Sequence, residues 1–114
     1  MLDDDGTMET AFQAEGKIFG IECTSTLTIV GTSRPDGSDL EGYGMMFTKE
    51  GDVLTIRTSA RGIPKGSMPA MSVRGVTFFY TQSPKLARLN NIVSIYELEL
   101  NEDQTYVVKD WEWK

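Results

Sequence analysis

Residues 19–31 have the sequence FGIECTSTLTIVG, in which apolar and polar side chains alternate. The apolar side chains fall on odd positions, namely Phe19, Ile21, Cys23, Leu27 and Ile29. The even positions hold a glutamate at 22 and threonines at 24, 26 and 28. Because successive side chains of a β-strand point to opposite faces, this alternation predicts a strand with one buried face.

Turn sequences on both sides of this strand predict further strands joined by short hairpins. Upstream, residues 10–15 are a candidate strand, with a tight reversal predicted at residues 16–17. Downstream, RPDGS at 34–38 and KEGD at 49–52 are turn sequences about fifteen residues apart, which favours an antiparallel meander over crossover connections. The glycines and prolines of residues 61–72 predict a long irregular connection instead.

The C-terminal part of the chain adds three strands and one short helix. Residues 73–82 predict a strand that is apolar on both faces, and residues 92–100 and 105–113 predict a hairpin. A serine–proline pair followed by leucines three residues apart predicts the helix, near residues 84–90. A strand that is apolar on both faces is expected inside a closed barrel or under another subunit.

These elements predict an all-β protein, an antiparallel meander of about seven to eight strands that closes into a small barrel. Closure is expected because an open sheet exposes the unpaired backbone groups of its edge strands. A split barrel is the alternative architecture. Residues 1–8, which include three consecutive aspartates, are expected to form a flexible acidic tail, and residues 9–114 to form a single domain.

The composition excludes several functions. The 114 residues include no histidine and one cysteine, which removes Ser-His-Asp and Cys-His catalysis, histidine metal sites and an intrachain disulfide. With a net charge of −6 and no basic run, the chain is not expected to bind nucleic acid. No apolar run is long enough for a membrane-spanning helix, and there is no secretory signal, so we expect a cytoplasmic protein that does not bind membranes.

Aromatic side chains and arginines are the candidate ligand-binding groups. We expect the following residues to line a cavity or a subunit contact: Tyr43, Phe78, Tyr80, Tyr96, Trp111, Arg57 and Arg74. The two arginines belong, with Arg61 and Lys65, to a basic group around a glycine-rich loop, which suits a phosphate or a carboxylate. No catalytic residue and no metal ligand is predicted.

Four segments together resemble a known group of proteins: LEGYG at 40–44, VRGVTFFYTQS at 73–83, KLARLN at 85–90 and KDWEWK at 109–114. They are similar to small prokaryotic domains of unknown function, which in outline resemble calycin-type barrels. The calycin-type barrels include the lipocalins and the allene oxide cyclase and dirigent families. The resemblance covers about residues 40–114 and implies a closed, often oligomeric antiparallel barrel with an apolar cavity. It implies no catalytic residue.

We therefore expect a non-enzymatic β-barrel, without a cofactor, that binds a small apolar or amphipathic ligand or forms a homo-oligomer. One alternative is an FMN-binding split-barrel oxidoreductase, in which the basic group holds the cofactor phosphate. The other is a barrel isomerase or cyclase, which needs a buried ionisable group, with Glu22, Glu41 and Tyr43 as candidates. Glu97 and Glu99 lie two residues apart, a spacing seen in paired catalytic carboxylates, but the pattern favours a solvated face.

Overall fold

The computed structural model describes residues 7–67 and 69–113, which form one antiparallel sheet and one short helix. Seven strands follow one another across the sheet in the order of the sequence. They are β1 (Thr7–Ile18), β2 (Ile21–Arg34), β3 (Gly37–Thr48), β4 (Val53–Pro64), β5 (Met71–Tyr80), β6 (Val93–Leu100) and β7 (Tyr106–Glu112). A 3₁₀ helix spans Pro84–Asn91, between β5 and β6.

The predicted fold class is confirmed: the chain forms an antiparallel meander with one short helix. Of the predicted acidic tail, residues 1–6 lie outside the described residues, and residues 7–8 belong to β1. Within the described ranges, no helix is long and apolar enough to cross a membrane.

The sheet curls but does not close into a hydrogen-bonded barrel, which corrects that part of the prediction. Seven flat strands would span about 29 Å across the sheet, whereas the two shorter extents of the molecule are 26 and 25 Å. β1 and β7 are the two edges, and no hydrogen bonds of the described part join them. Charged side chains mark these edges, including Glu15 and Lys17 on β1 and Lys109 and Asp110 on β7. Charges on an edge strand oppose pairing with other chains, so closure is not needed to protect it.

The core lies on one face of the sheet, towards one end of the strands. Its buried side chains come from β3, β4, β5 and the helical segment: Met46, Leu54, Ile56, Phe79, Leu86, Leu89 and Ile92. Phe19 contacts Phe79 edge-to-face, with ring centroids 6.3 Å apart. We call this side of the sheet the inner face and the opposite side the outer face.

The helix forms where the sequence predicts it, and its side chains cover the inner face. Leu86 and Leu89 are three residues apart, so both point to the same side of a 3₁₀ helix, and both are buried. Ser83 precedes the helix, but its hydroxyl donates to Asp52 Oδ1 at 2.9 Å instead of capping the helix. The Asn90 amide accepts from the backbone N–H of Thr81 and donates to its carbonyl, at 2.8 and 3.1 Å. These bonds attach both ends of the helix to neighbouring segments.

The predicted reversal at residues 16–17 is wrong, because β1 continues to Ile18. The chain turns at Phe19 and Gly20, whose φ angles are 47° and 82°. Two consecutive residues with positive φ match the twist of the strands that they join. The packing of the Phe19 ring on Phe79 offsets the cost of placing a phenylalanine in this conformation.

The irregular connection predicted for residues 61–72 is shorter than predicted, because half of that segment is strand. β4 continues to Pro64 and β5 begins at Met71, which leaves only six residues between them. Gly62 pairs with Val73 in the sheet, and a Cβ there would lie 2.6 Å from Met71 Sδ. This glycine provides room for a side chain of the next strand, so here it does not interrupt the strand.

Candidate binding face

The pairing of the strands places most of the predicted site residues on the outer face. Phe79 and Ile56 are paired and buried on the inner face, so their neighbours Phe78 and Arg57 point outwards. By the same alternation and pairing, six predicted site residues share the outer face: Tyr43, Arg57, Arg74, Phe78, Tyr80 and Trp111. Tyr96 pairs with Gly75 and lies on the inner face, so the structure separates it from the other six.

A row of three predicted site residues crosses the middle of the outer face. Tyr43 on β3 is paired with Arg57 on β4, and Arg57 is paired with Phe78 on β5. The Cβ atoms of directly paired residues lie about 5 Å apart, so the Arg57 side chain leaves the sheet between those of Tyr43 and Phe78. Both aromatic side chains are more than half exposed. Among the described residues, neither an ion pair nor a hydrogen bond involves the Arg57 side chain.

Large apolar side chains extend this row in both directions. We call the following outer-face residues, which are between 36% and 58% exposed, the aromatic face: Tyr43, Met45, Phe47, Val53, Phe78, Tyr80, Ile95 and Trp111. A contiguous exposed apolar patch of this kind is typical of a binding surface. The predicted site residues do not include Met45, Phe47, Val53 and Ile95. The alternation of Tyr43, Met45 and Phe47 along β3 is the signal that could have identified two of them.

An open groove of about 880 Å³ lies beside the row, over β1 to β4. Small side chains form its floor, among them Ala11, Thr26 and Thr28, and Tyr43 and Arg57 are part of its lining. Close strand approach occurs in the same region, since a Cβ on Gly44 would lie 1.9 Å from a backbone oxygen of β2. This close approach of β2 and β3 requires a residue without a side chain at position 44.

The other members of the predicted basic group already have partners. Their ion pairs, all on the surface of the sheet, are Arg61–Asp39 at 3.5 Å, Lys65–Glu99 at 2.9 Å and Arg74–Glu97 at 3.2 Å. Lys65, and then the hydroxyl of Ser72, lower the pKa of Glu99 below its usual value. The prediction that Glu97 and Glu99 lie on a solvated face is confirmed, and their carboxylates pair with cations.

Tyr96 is a half-buried inner-face residue with a polar contact of its own. Its hydroxyl lies 2.8 Å from Thr58 Oγ1. Burial raises the pKa of Tyr96, and the Thr58 hydroxyl partly opposes that shift. The phenol therefore remains neutral at physiological pH, as a structural hydrogen-bonding group.

Cys23, Glu22 and Glu41 do not form a reactive centre. Cys23 lies on the inner face, and burial raises the pKa of its thiol, which disfavours the nucleophilic thiolate. Glu22 and Glu41, which were candidates for barrel chemistry, are both exposed. In the part of the chain that the structure describes, no three acidic or cysteine side chains are grouped to hold a metal ion.

The aromatic face surrounds Arg57, a cation that has no partner in the described residues. The face therefore offers apolar contact, charge attraction and the hydroxyl groups of Tyr43 and Tyr80 to another molecule. In comparisons with family models, curated proteins and solved structures, the chain matches none of them.

Proposed function

We propose that this chain is a non-enzymatic binding protein whose aromatic face binds an apolar or amphipathic molecule. The observation that supports the proposal is the exposed Tyr43–Arg57–Phe78 row, which is central to that face. Tyrosine and arginine are among the residues that contribute most to binding at protein interfaces.

The energetic argument rests on the apolar area that the face leaves in water. Removing apolar surface from water stabilises a complex by roughly 25 cal/mol for each Å². Aromatic rings provide much of this area, and they lose little conformational entropy on binding because they have few rotatable bonds. Arg57 adds an attraction for a negatively charged group, since no carboxylate of the described residues neutralises it.

The calycin resemblance implies a ligand inside a closed barrel. In this open sheet, we propose the outer face as the binding site instead, because the apolar side chains of that face remain exposed. No feature of the structure favours the flavoprotein or the isomerase over binding alone. Three of the four basic residues proposed for a flavin phosphate are in ion pairs, and Glu22, Glu41 and Tyr43 are all exposed.

Native mass spectrometry of freshly purified protein, at micromolar concentration, tests the proposal. We expect the wild-type chain to carry added mass, either of a small molecule or of further protein. Tyr80→Asp is expected to remove that mass, because it places a charge on the aromatic face.

Tyr106→Asp is the matched control, since Tyr106 is 54% exposed, like Tyr80 at 56%, but lies on the inner side of β7. It should retain the bound mass. A wild-type chain that is a bare monomer, or a Tyr106→Asp variant that loses the mass equally, would overturn the proposal. Circular dichroism confirms that each variant is folded.

A further inference from the structure

We infer that the aromatic face docks a second copy of this chain, about a two-fold axis that pairs Arg57 of each copy with Glu41 of the other. The inference rests on the proposed function, because it names the molecule that this face binds. A two-fold interface brings the same surface patch of both copies together, so the patch must be complementary to itself.

The charges of the outer face meet this requirement. Arg57 and Glu41 are both exposed and both lie on the outer face, on the adjacent strands β4 and β3. Within the described ranges, Glu41 forms no ion pair; it accepts a hydrogen bond from Ser59 Oγ at 2.9 Å. Each copy therefore presents one unpaired cation and one unpaired anion next to its apolar surface.

The sheet register places the two groups in neighbouring rows. Arg57 belongs to the row Tyr43–Arg57–Phe78, and Glu41 belongs to the next row, in which it is paired with Ser59 and Ser59 with Val76. The two rows are two residues apart along each strand, about 7 Å, and adjacent strands are about 4.8 Å apart. The two charges are thus diagonal neighbours on the outer face.

A two-fold axis that crosses the strands midway between these rows places each row opposite the other row of the second copy. Arg57 then lies opposite Ser59 of the second copy, with Glu41 of the second copy one strand to the side. For sheets packed about 10 Å apart, the two backbones are about 11 Å apart, which an arginine and a glutamate side chain together span. The axis generates the pair twice.

The apolar side chains of the two rows beside the axis are compatible with it. Phe78 lies opposite Val76 of the second copy, so the aromatic row meets a row that contains Val76, Ile95 and Trp111. The outer side of β5 becomes covered, which accounts for a strand with apolar side chains on both faces. A small molecule in the groove over β1 to β4 would leave Phe78, Ile95 and Trp111 exposed, so a second copy is the better match.

Charge exchange tests the pairing directly, with sedimentation equilibrium as the measurement. We expect a wild-type dimer at micromolar concentration, with dimer dissociation constants raised about tenfold or more in R57E and in E41R. An equimolar mixture of R57E and E41R should form a heterodimer with both ion pairs restored, and the double variant E41R/R57E should dimerise again. R88E is the matched control, because Arg88 is exposed on the helix and carries the same change of charge.

The outcomes distinguish this inference from the proposed function. A wild-type monomer that carries a small molecule overturns the second copy but leaves the binding face in place. A dimer that Tyr80→Asp dissociates, but that neither the mixture nor the double variant restores, overturns the Arg57–Glu41 pairing alone. A bare wild-type monomer overturns both.

Discussion

Phe78 and Phe79 are adjacent in β5, and their side chains lie on opposite faces of the sheet, so one substitution made at each position measures the difference between the faces. Phe79 is 5% exposed and its ring contacts Phe19, whereas Phe78 is 51% exposed on the aromatic face. We expect Phe79→Ala to be far more destabilising than Phe78→Ala, although the chemical change is the same.

The magnitudes follow from burial. Truncation of a buried phenylalanine to alanine costs about 3–5 kcal/mol, because apolar contacts are lost and a cavity remains. The aromatic contact with Phe19 places Phe79→Ala within this range. Phe78 keeps half of its surface in water in the folded monomer, so its truncation should cost only about 1 kcal/mol.

Urea unfolding followed by tryptophan fluorescence measures both values. Both variants are made in the R57E background and measured at submicromolar protein concentration. Under these conditions the chain is monomeric, so dimer formation does not add to the measured stability of the chain that retains Phe78. Equal losses for the two variants, or a larger loss for Phe78→Ala, would refute the assignment of the inner and outer faces. A changed dependence on urea in Phe79→Ala alone would instead indicate an altered unfolded state.

Three further predictions concern the sheet and the helix. Gly44→Ala should destabilise the fold by more than about 2 kcal/mol in thermal unfolding, because the new methyl group would lie 1.9 Å from a backbone oxygen. Gly16→Ala is the control and should be neutral, since a methyl group there meets nothing within 4 Å. Similar losses of stability in the two variants would contradict the close packing of β3. Lys85 holds the pKa of Asp52 below 3.8, so this carboxylate stabilises the fold above that pH and its contribution is lost as the pH falls further. Asp52→Asn should therefore reduce the loss of unfolding free energy as the pH is lowered below about 4. If wild type and variant lose stability in parallel, the contact between Asp52 and Lys85 does not stabilise the fold. Thr81→Val should lower the free energy of unfolding in urea by about 1–3 kcal/mol. The buried Thr81 hydroxyl donates to the Val53 carbonyl at 2.8 Å and accepts from the Ser83 N–H at 3.1 Å, and valine leaves both groups unpaired. An unchanged urea midpoint would show that these two hydrogen bonds do not stabilise the fold.

Local patterns in the sequence predict the elements of this fold well. The alternation in residues 19–31 corresponds to most of β2, and the serine–proline signal before residue 84 corresponds to the start of the helix. The errors occur where a residue has a role that depends on other strands. Gly62 makes room for the Met71 side chain of the next strand. Phe19 packs its ring on Phe79 although its backbone forms a turn. Neither contact is visible in a local sequence pattern.

The candidate site is less predictable, because it depends on pairing between strands. Alternation within β5 separates Phe78 from Phe79, but the sequence does not show that Tyr43, Arg57 and Phe78 are paired across three strands. Tyr96 was grouped with these residues by its aromatic character, and the register of β6 places it on the other face. Closure of the barrel is predicted from the unpaired edges that an open sheet exposes, whereas the charged side chains on those edges allow the sheet to stay open.

The strict sequential order of the seven strands has a kinetic consequence. Every pair of hydrogen-bonded strands consists of neighbours in the chain, and most are joined by short turns. Contact order is therefore low for an all-β protein, because no pairing has to wait for the closure of a loop across the whole chain. Folding should proceed faster than in sandwiches of the same length, since each completed hairpin offers an edge on which the following strand can form.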